Sequence, residues 1–273
     1  MPEREYVLGT HDEEIGRLGL QHRVWRPYVL DAWDRAGLRA GQTALDVGCG
    51  PGYATIDLAE RVGPQGRVIA IDQSRRFLDH LSGRARSEGR ANIDIFQRDL
   101  NGGELPPVLA DMAWCRWIFA FVRDPRALLK AVAAALRPGG ALVIHEYYDY
   151  RSWRLMPPCE ELDEFVALVM RSWRADGGEP DAGAWLPSWL EELGFVVATT
   201  RPLVEIVTPQ DSMWEWPAAF LRVGIQRLVA LGHLSQDRAT AIVRALEEAS
   251  RQPGIRMCTP GVAEIIAHTP KAT

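Results

Sequence analysis

The chain predicts an α/β fold, a mostly parallel sheet with helices on both faces, and three observations carry that prediction. Short apolar runs alternate with helix-like stretches from residue 41 to 147. Three glycines crowd into five positions directly after the first run, in "ALDVGCGPGYATIDLA" (44 to 59). Beyond residue 147 the pattern changes to longer helices, with two further strand-like runs.

Taken in order, Thr10 and Glu13 form a capping box for a first helix with Ile15, Leu18, His22 and Trp25 on its apolar face, and Pro27 is expected to start a second. "TALDVG" is a strand ending in glycine, and "YATIDLAERVG" places Ile56, Ala59 and Val62 at helical spacing before Gly63 stops it. "RVIAID" is the second strand, after which Ser74 caps a helix running toward Gly89. "NIDIFQRD" and "LADMAWC" are the third and fourth. Asp124 and Pro125 start a helix with Leu128, Leu129, Val132 and Leu136 as its buried stripe, and "RPGG" ends it before the fifth strand "ALVIHEY". Then come a helix over 158 to 174, a linker, the short helix "WLPSWLEELG" and one long strand over 195 to 207. Two helices follow in 210 to 251, the first bent by Pro217 and the second capped by Ser235, and "GVAEIIAH" is the last strand.

Composition narrows the function classes. With 273 residues, 47% of them apolar and 25% charged, the chain is long enough for one large domain or a domain with an accessory lobe. A net charge of -5 speaks against nucleic acid or an anionic membrane as partner. No run approaches the roughly 20 apolar residues of a membrane helix, and "MPEREYVLGTHDEE" is acidic where a secretory leader is basic and then apolar, so a cytoplasmic location is expected. Cys49, Cys115, Cys159 and Cys258 are scattered without a C-x-x-C, which suggests free thiols and no metal site. Lys130 and Lys271 are the only lysines, so lysine chemistry is not expected.

A strand that runs through a glycine turn into a helix sets backbone N–H groups and the positive end of the helix at the carboxyl edge of the sheet, a place shaped for a nucleotide. Glycine is expected there because a Cβ would keep the ligand off the main chain. Spacing separates the candidates. The dinucleotide pattern G-x-G-x-x-G requires glycine at position 53, which is Tyr53; the actual pattern is acidic-x-G-x-G-x-G, from Asp46 through Gly48, Gly50 and Gly52.

That pattern resembles the first motif of the class I S-adenosylmethionine (SAM) dependent methyltransferases, small-molecule subgroup, and residues 41 to 147 follow that family's order. The remainder matches only in layout. The resemblance implies a Rossmann-like, seven-stranded, mostly parallel sheet with helical lid insertions, and SAM as cofactor. It implies that the loop around Asp46, Gly48, Cys49, Gly50 and Gly52 lies under SAM and that Asp72, next to Gln73, binds the ribose hydroxyls. Asp99 then lies at the adenine amino group beside Leu100, with Cys115 and Arg116 along the cofactor. "YVLGTHDEEIGRLGLQHRVWRP" resembles a lead-in of some small-molecule methyltransferases and makes Tyr6 and Gln21 candidate contacts at the methionine end; Gln21 equally reads as a solvated helix residue. One departure stands out. Relatives often carry a histidine before the "DP" turn, where this chain has Ala120, Phe121 and Val122, so no catalytic histidine is assigned there.

The layout expected is an N-terminal lid segment (1 to 40), a SAM-binding core (41 to 147), a helical acceptor lid (148 to 193), and completion of the sheet (194 to 273) with a helical insertion at 208 to 252. Methyl transfer disperses the sulfonium charge, which a dry aromatic site favours. Trp117, Phe119, Tyr147, Tyr148, Trp153, Trp185, Trp189, Trp214, Trp216 and Phe220 are candidate walls. If the acceptor needs a base, "IHEYYD" offers His145 and Glu146, which alternation places on opposite faces, and both also read as ordinary sheet residues. An amine acceptor needs none. The leading expectation is transfer to a small, partly apolar molecule. A SAM-binding scaffold without turnover and an NAD-dependent oxidoreductase are the other readings, and the lid helices could also serve a homodimer.

Overall fold

In chain order, the computed structural model, which describes residues 12–271, shows α1 (Asp12–Arg35), β1 (Thr43–Val47), α2 (Tyr53–Val62), β2 (Arg67–Asp72), α3 (Arg75–Ser87), β3 (Ile93–Gln97), β4 (Ala110–Arg116), α4 (Pro125–Ala134) and β5 (Leu136–Asp149). The second part holds β6 (Arg154–Met156), α5 (Glu160–Ala175), α6 (Leu186–Glu192), β7 (Val196–Leu203), β8 (Ile206–Val207), α7 (Glu215–Ala230), α8 (Gln236–Ala249), β9 (Arg256–Cys258) and β10 (Gly261–His268). Seven strands form one sheet in the order β3-β2-β1-β4-β5-β10-β7, parallel except for β10, which runs antiparallel to both its neighbours. The strand order reverses between β1 and β4, and the carboxyl edge there is the switch point at which open α/β sheets bind ligands.

Local chemistry explains the helix starts. Ser74, Asp124 and Ser235 each accept a bond from the backbone N–H three residues on, satisfying an orphan donor of the first turn. One face of the sheet packs on α1, α2 and the layer α5, α7 and α8; the other packs on α4 and α6. Among the described residues no helix is long and apolar enough to cross a membrane.

Four expectations change. Pro27 lies inside a continuous 24-residue helix, because Trp25, Val29, Ala32 and Trp33 bury one face along its whole length and hold it together. Thr10, expected to cap it, lies outside the described residues. The "RPGG" run lies within β5, where the pairing with β4 jumps from Ala110 opposite Leu136 to Met112 opposite Ala141, a bulge. The long strand over 195 to 207 divides: β7 is the edge of the main sheet, while β8 joins β6 and β9 in a small antiparallel sheet. Glu205 is the pivot, its N–H donating to Thr259 Oγ1 at 3.0 Å while its carbonyl accepts from the Thr259 N–H at 2.9 Å. Finally, Pro217 sits in the first turn of α7, where a missing N–H costs little, and does not bend the middle of the helix.

Candidate functional site

A cleft crosses the carboxyl edge of the sheet at the switch point. It has two lobes that share Asp72 and Ile118. The larger, about 270 Å³, is lined by Gln73, Asp99 and Leu100 on one side and by Trp173, Arg227 and Leu231 of the helical layer on the other. The smaller lies over the glycine loop and is lined by Gln21, Asp46, Gly48, Cys49, Gly50 and Arg116, with Trp117 at its edge.

Asp72 joins them. Its Oδ2 accepts from the Gly50 N–H and its Oδ1 from the Ser74 N–H, each at 2.8 Å, so the end of β2, the glycine loop and the start of α3 hold the carboxylate in one plane. Two oxygens side by side suit a vicinal diol. Asp99 sits on the exposed rim of the larger lobe, its Oδ1 accepting from the Asn101 backbone N–H and side-chain amide, both at 2.9 Å.

The three glycines have different causes. A Cβ on Gly52 would lie 2.3 Å from Leu81 Cδ1, and one on Gly48 2.9 Å from Ile118 Cδ1, so packing by α3 and by the loop after β4 forbids side chains there. Only Gly50, with φ +54° and nothing within 4 Å of where a Cβ would stand, faces open cleft as a ligand's approach requires. Tyr53, which takes the place of the dinucleotide glycine, donates its hydroxyl to the Ile15 carbonyl at 3.1 Å and packs on Gly19, tying α1 over the loop.

Burial sets the electrostatics of the smaller lobe. It pushes Asp46 up to about 6, even though Thr55 Oγ1 donates to Oδ2 at 2.6 Å and Arg116 is near. It likewise pushes Arg116 down to about 10 and the Cys49 thiol well up. Gln21 is not solvated: its Oε1 accepts from Arg17 Nη1 at 3.0 Å and Trp216 Nε1 at 3.1 Å, linking α1 to α7. Arg17 in turn pairs with Glu14, and both are buried. In the sequence this Glu14–Arg17–Gln21 run carries no signal of burial, since it reads as one polar helix face.

Several expected site residues lie elsewhere. Cys115 is fully buried on the α4 side of the sheet, because alternation along β4 turns Trp114 and Arg116 toward the cleft and Cys115 away. His145 and Glu146 do occupy opposite faces, but both are fully buried and neither lines the cleft. His145 Nε2 lies 3.1 Å from Glu264 Oε2, and Glu146 accepts from the backbone N–H groups of Phe119 at 2.8 Å and Ala120 at 3.2 Å. The structure thus gives each a supporting role. Tyr6 lies outside the described residues.

Of the aromatic candidates, Trp117, Tyr147 and Trp216 come together. The rings of Tyr147 and Trp216 lie at 5.6 and 5.5 Å from Trp117, each 21° from its plane, and Trp25 meets Trp117 and Trp216 edge-on. Trp117 holds φ 49°, a left-handed conformation that costs a bulky residue about 1–2 kcal/mol. Such strain is kept where the surroundings impose it, commonly at functional sites. Phe119 and Tyr148 pack in the opposite core, Trp153 and Phe220 with Phe165 under the helical layer, Trp214 beside α7, and Trp185 and Trp189 on the far surface near α6. The α6 helix buries Leu186 and Leu190 against the sheet face opposite the cleft, so it is not part of a lid. Trp173, absent from the sequence-based set, lines the larger lobe and meets Phe121 edge-on at 4.6 Å.

The residues fit SAM: a paired-oxygen acceptor at the junction, an open glycine at the loop, and a carboxylate and a guanidinium, Asp46 and Arg116, lining the smaller lobe. Comparison with known proteins agrees. Residues 44–140 match the methyltransferase domain family. An uncharacterized 37.1 kDa protein in a Streptomyces fradiae transposon is 30% identical over 212 residues, covering 78% of this chain and 59% of that one. The demethylmenaquinone methyltransferase of Lactococcus lactis is 31% identical over 126 residues, covering 46% of this chain and 49% of that one. The chain therefore spans only about half to three-fifths of the length of these two relatives. Among solved structures, the Haemonchus contortus phosphoethanolamine N-methyltransferase 2 shares the fold with TM-score 0.60 at 18% identity, over 99% of this chain and 62% of that one. Residues 44–140 are thus a methyltransferase domain, and the sheet order and the cleft around them are those that the resemblance to the class I SAM-dependent methyltransferases implies.

Proposed function

We propose that the chain transfers a methyl group from SAM to a small, planar, partly apolar molecule. The observation that carries this reading is the strained Trp117, whose ring borders the glycine lobe and stacks with Tyr147 and Trp216. When bound, SAM supplies an electrophilic methyl on a cationic sulfur. The chain's part is to hold the acceptor in line, exclude water with the helices of 160–175 and 215–249, and offer aromatic faces that favour dispersed charge. No base from the end of β5 reaches the cleft, since His145 and Glu146 are sequestered. This favours an acceptor that is already nucleophilic, such as an amine or an electron-rich ring. It equally motivates the reading of a SAM-binding protein without turnover.

The test measures thermal stability of the wild type and of Asp72→Ala with saturating SAM, S-adenosylhomocysteine or NAD, followed by incubation with methyl-labelled SAM and a panel of phenols, hydroquinones and amines. A ligand at about 100 times its dissociation constant adds roughly 2.7 kcal/mol. Stabilisation by the two sulfur compounds alone, lost in Asp72→Ala, together with label transfer, is the expected result. A response to NAD overturns the cofactor reading, and binding without transfer to any acceptor favours the scaffold.

A further inference from the structure

Arg116 ends β4 beside the glycine loop, directly across the switch point from the end of β1. Its Nη2 donates to His22 Nδ1 at 3.3 Å. The other nitrogen of that imidazole, Nε2, lies 3.0 Å from Asp57 Oδ2, which Arg26 Nε also reaches at 2.7 Å. With Nε2 protonated toward Asp57, Nδ1 is the acceptor for Arg116, so Asp57 and His22 aim the guanidinium. The Arg116 Cζ lies over the Trp117 ring, 5.2 Å from its centroid. Nη1 is buried and has no partner, and among the described residues no carboxylate forms an ion pair with this arginine. A guanidinium nitrogen shut away without a partner is costly, which makes the arrangement hard to explain by folding alone.

We propose that the Arg116 guanidinium receives the carboxylate of the amino-acid end of SAM, with His22 and Asp57 as positioning residues. The inference rests on the SAM reading above. A diol held at Asp72 sends the adenine toward Asp99 and Leu100 in the larger lobe, and the rest of the molecule into the smaller one. That remainder is a zwitterion. Besides Asp72, the smaller lobe presents a carboxylate, Asp46, for the ammonium group and a guanidinium, Arg116, for the carboxylate. An anionic acceptor is the other possible source of negative charge, and the experiment separates the two.

Calorimetric titration of the full chain compares three ligands: S-adenosylhomocysteine, its decarboxylated analogue, and 5′-methylthioadenosine, which lacks the whole amino-acid end. Arg116→Gln is expected to weaken S-adenosylhomocysteine by about 10- to 100-fold, the size of one charge-assisted bond pair. The other two ligands should move less than about threefold, and Arg116→Lys should restore part of the difference. Should Arg116→Gln fail to fold, Arg116→Lys carries the comparison: selective weakening of S-adenosylhomocysteine by a smaller factor supports the proposal. Equal weakening of all three ligands overturns it, because Arg116 then only shapes the lobe. Unchanged S-adenosylhomocysteine affinity overturns it in favour of an anionic acceptor. A wild-type chain that binds none of the three overturns the SAM reading itself, an outcome distinct from either.

Discussion

His145 and Glu264 are register partners on adjacent antiparallel strands, β5 and β10, and their side chains meet with Nε2 3.1 Å from Oε2 in the interior. Glu264 also accepts from Arg201 Nε at 2.6 Å and from Arg35, so one carboxylate ties together β5, β10, β7 and α1. Burial alone would raise its pKa. The bonds from His145, Arg201 and Arg35 outweigh burial and hold it at about 2. A depressed carboxylate contributes stability that is present above its ordinary pKa near 4.5 and is lost as the pH falls toward 2. The shift corresponds to about 3 kcal/mol. Glu264→Gln is expected to lose about 2–4 kcal/mol at pH 7. Urea unfolding of both proteins should show the gap between them narrowing as the pH drops from 4.5 to 2.

Glu146 behaves in the opposite sense. Burial pushes it up to about 7, against the pull of the backbone N–H groups it accepts from Tyr147, Ala120 and Phe119. A raised carboxylate contributes stability that is fully present below about 4.5 and is lost as the pH rises through 7. Wild type should therefore lose up to about 3 kcal/mol from this group between pH 4.5 and 8. Glu146→Gln should lack that segment of the pH profile, and unfolding free energies at pH 5 and 8 for both proteins check it. If the two profiles run parallel, Glu146 is ionised throughout.

Gly50 and Gly52 should separate binding from folding. Gly52→Ala places a methyl 2.3 Å from Leu81 Cδ1 at φ +85° and is expected to cost about 2–4 kcal/mol of stability. Gly50→Ala meets no atom and should cost only about 1–2 kcal/mol for its left-handed backbone. Its methyl nevertheless enters the cleft, so SAM affinity should fall about tenfold or more. Chemical denaturation and calorimetric titration of both variants provide the two readouts.

The parts of the site legible in the sequence are those fixed by nearest neighbours. Asp46, the glycine loop, Asp72 and Asp99 occupy strand ends, and a strand end followed by a turn announces itself within a few residues. The Tyr147 and Trp216 rings could be nominated but not paired, since the rings that meet at Trp117 come from three separate elements. Arg116 carries a clear signal only as a charge at the end of an apolar strand. That its Nη2 meets an imidazole depends on His22, 94 residues away.

By itself the sequence determined the strands and helices of 41–147 apart from the Leu136–Gly140 run, the caps at Ser74, Asp124 and Ser235, and the turn that bears Gly50. Periodicity, capping and left-handed turns are bonds and sterics among residues no more than about four apart, so they are written locally. Tertiary structure alone decided which face of each strand looks into the cleft, where the strand over 195 to 207 breaks between two sheets, and why His145 and Glu146 are sealed from the cleft. Those outcomes depend on partners such as Glu264, 119 residues from His145, whose positions no local pattern specifies.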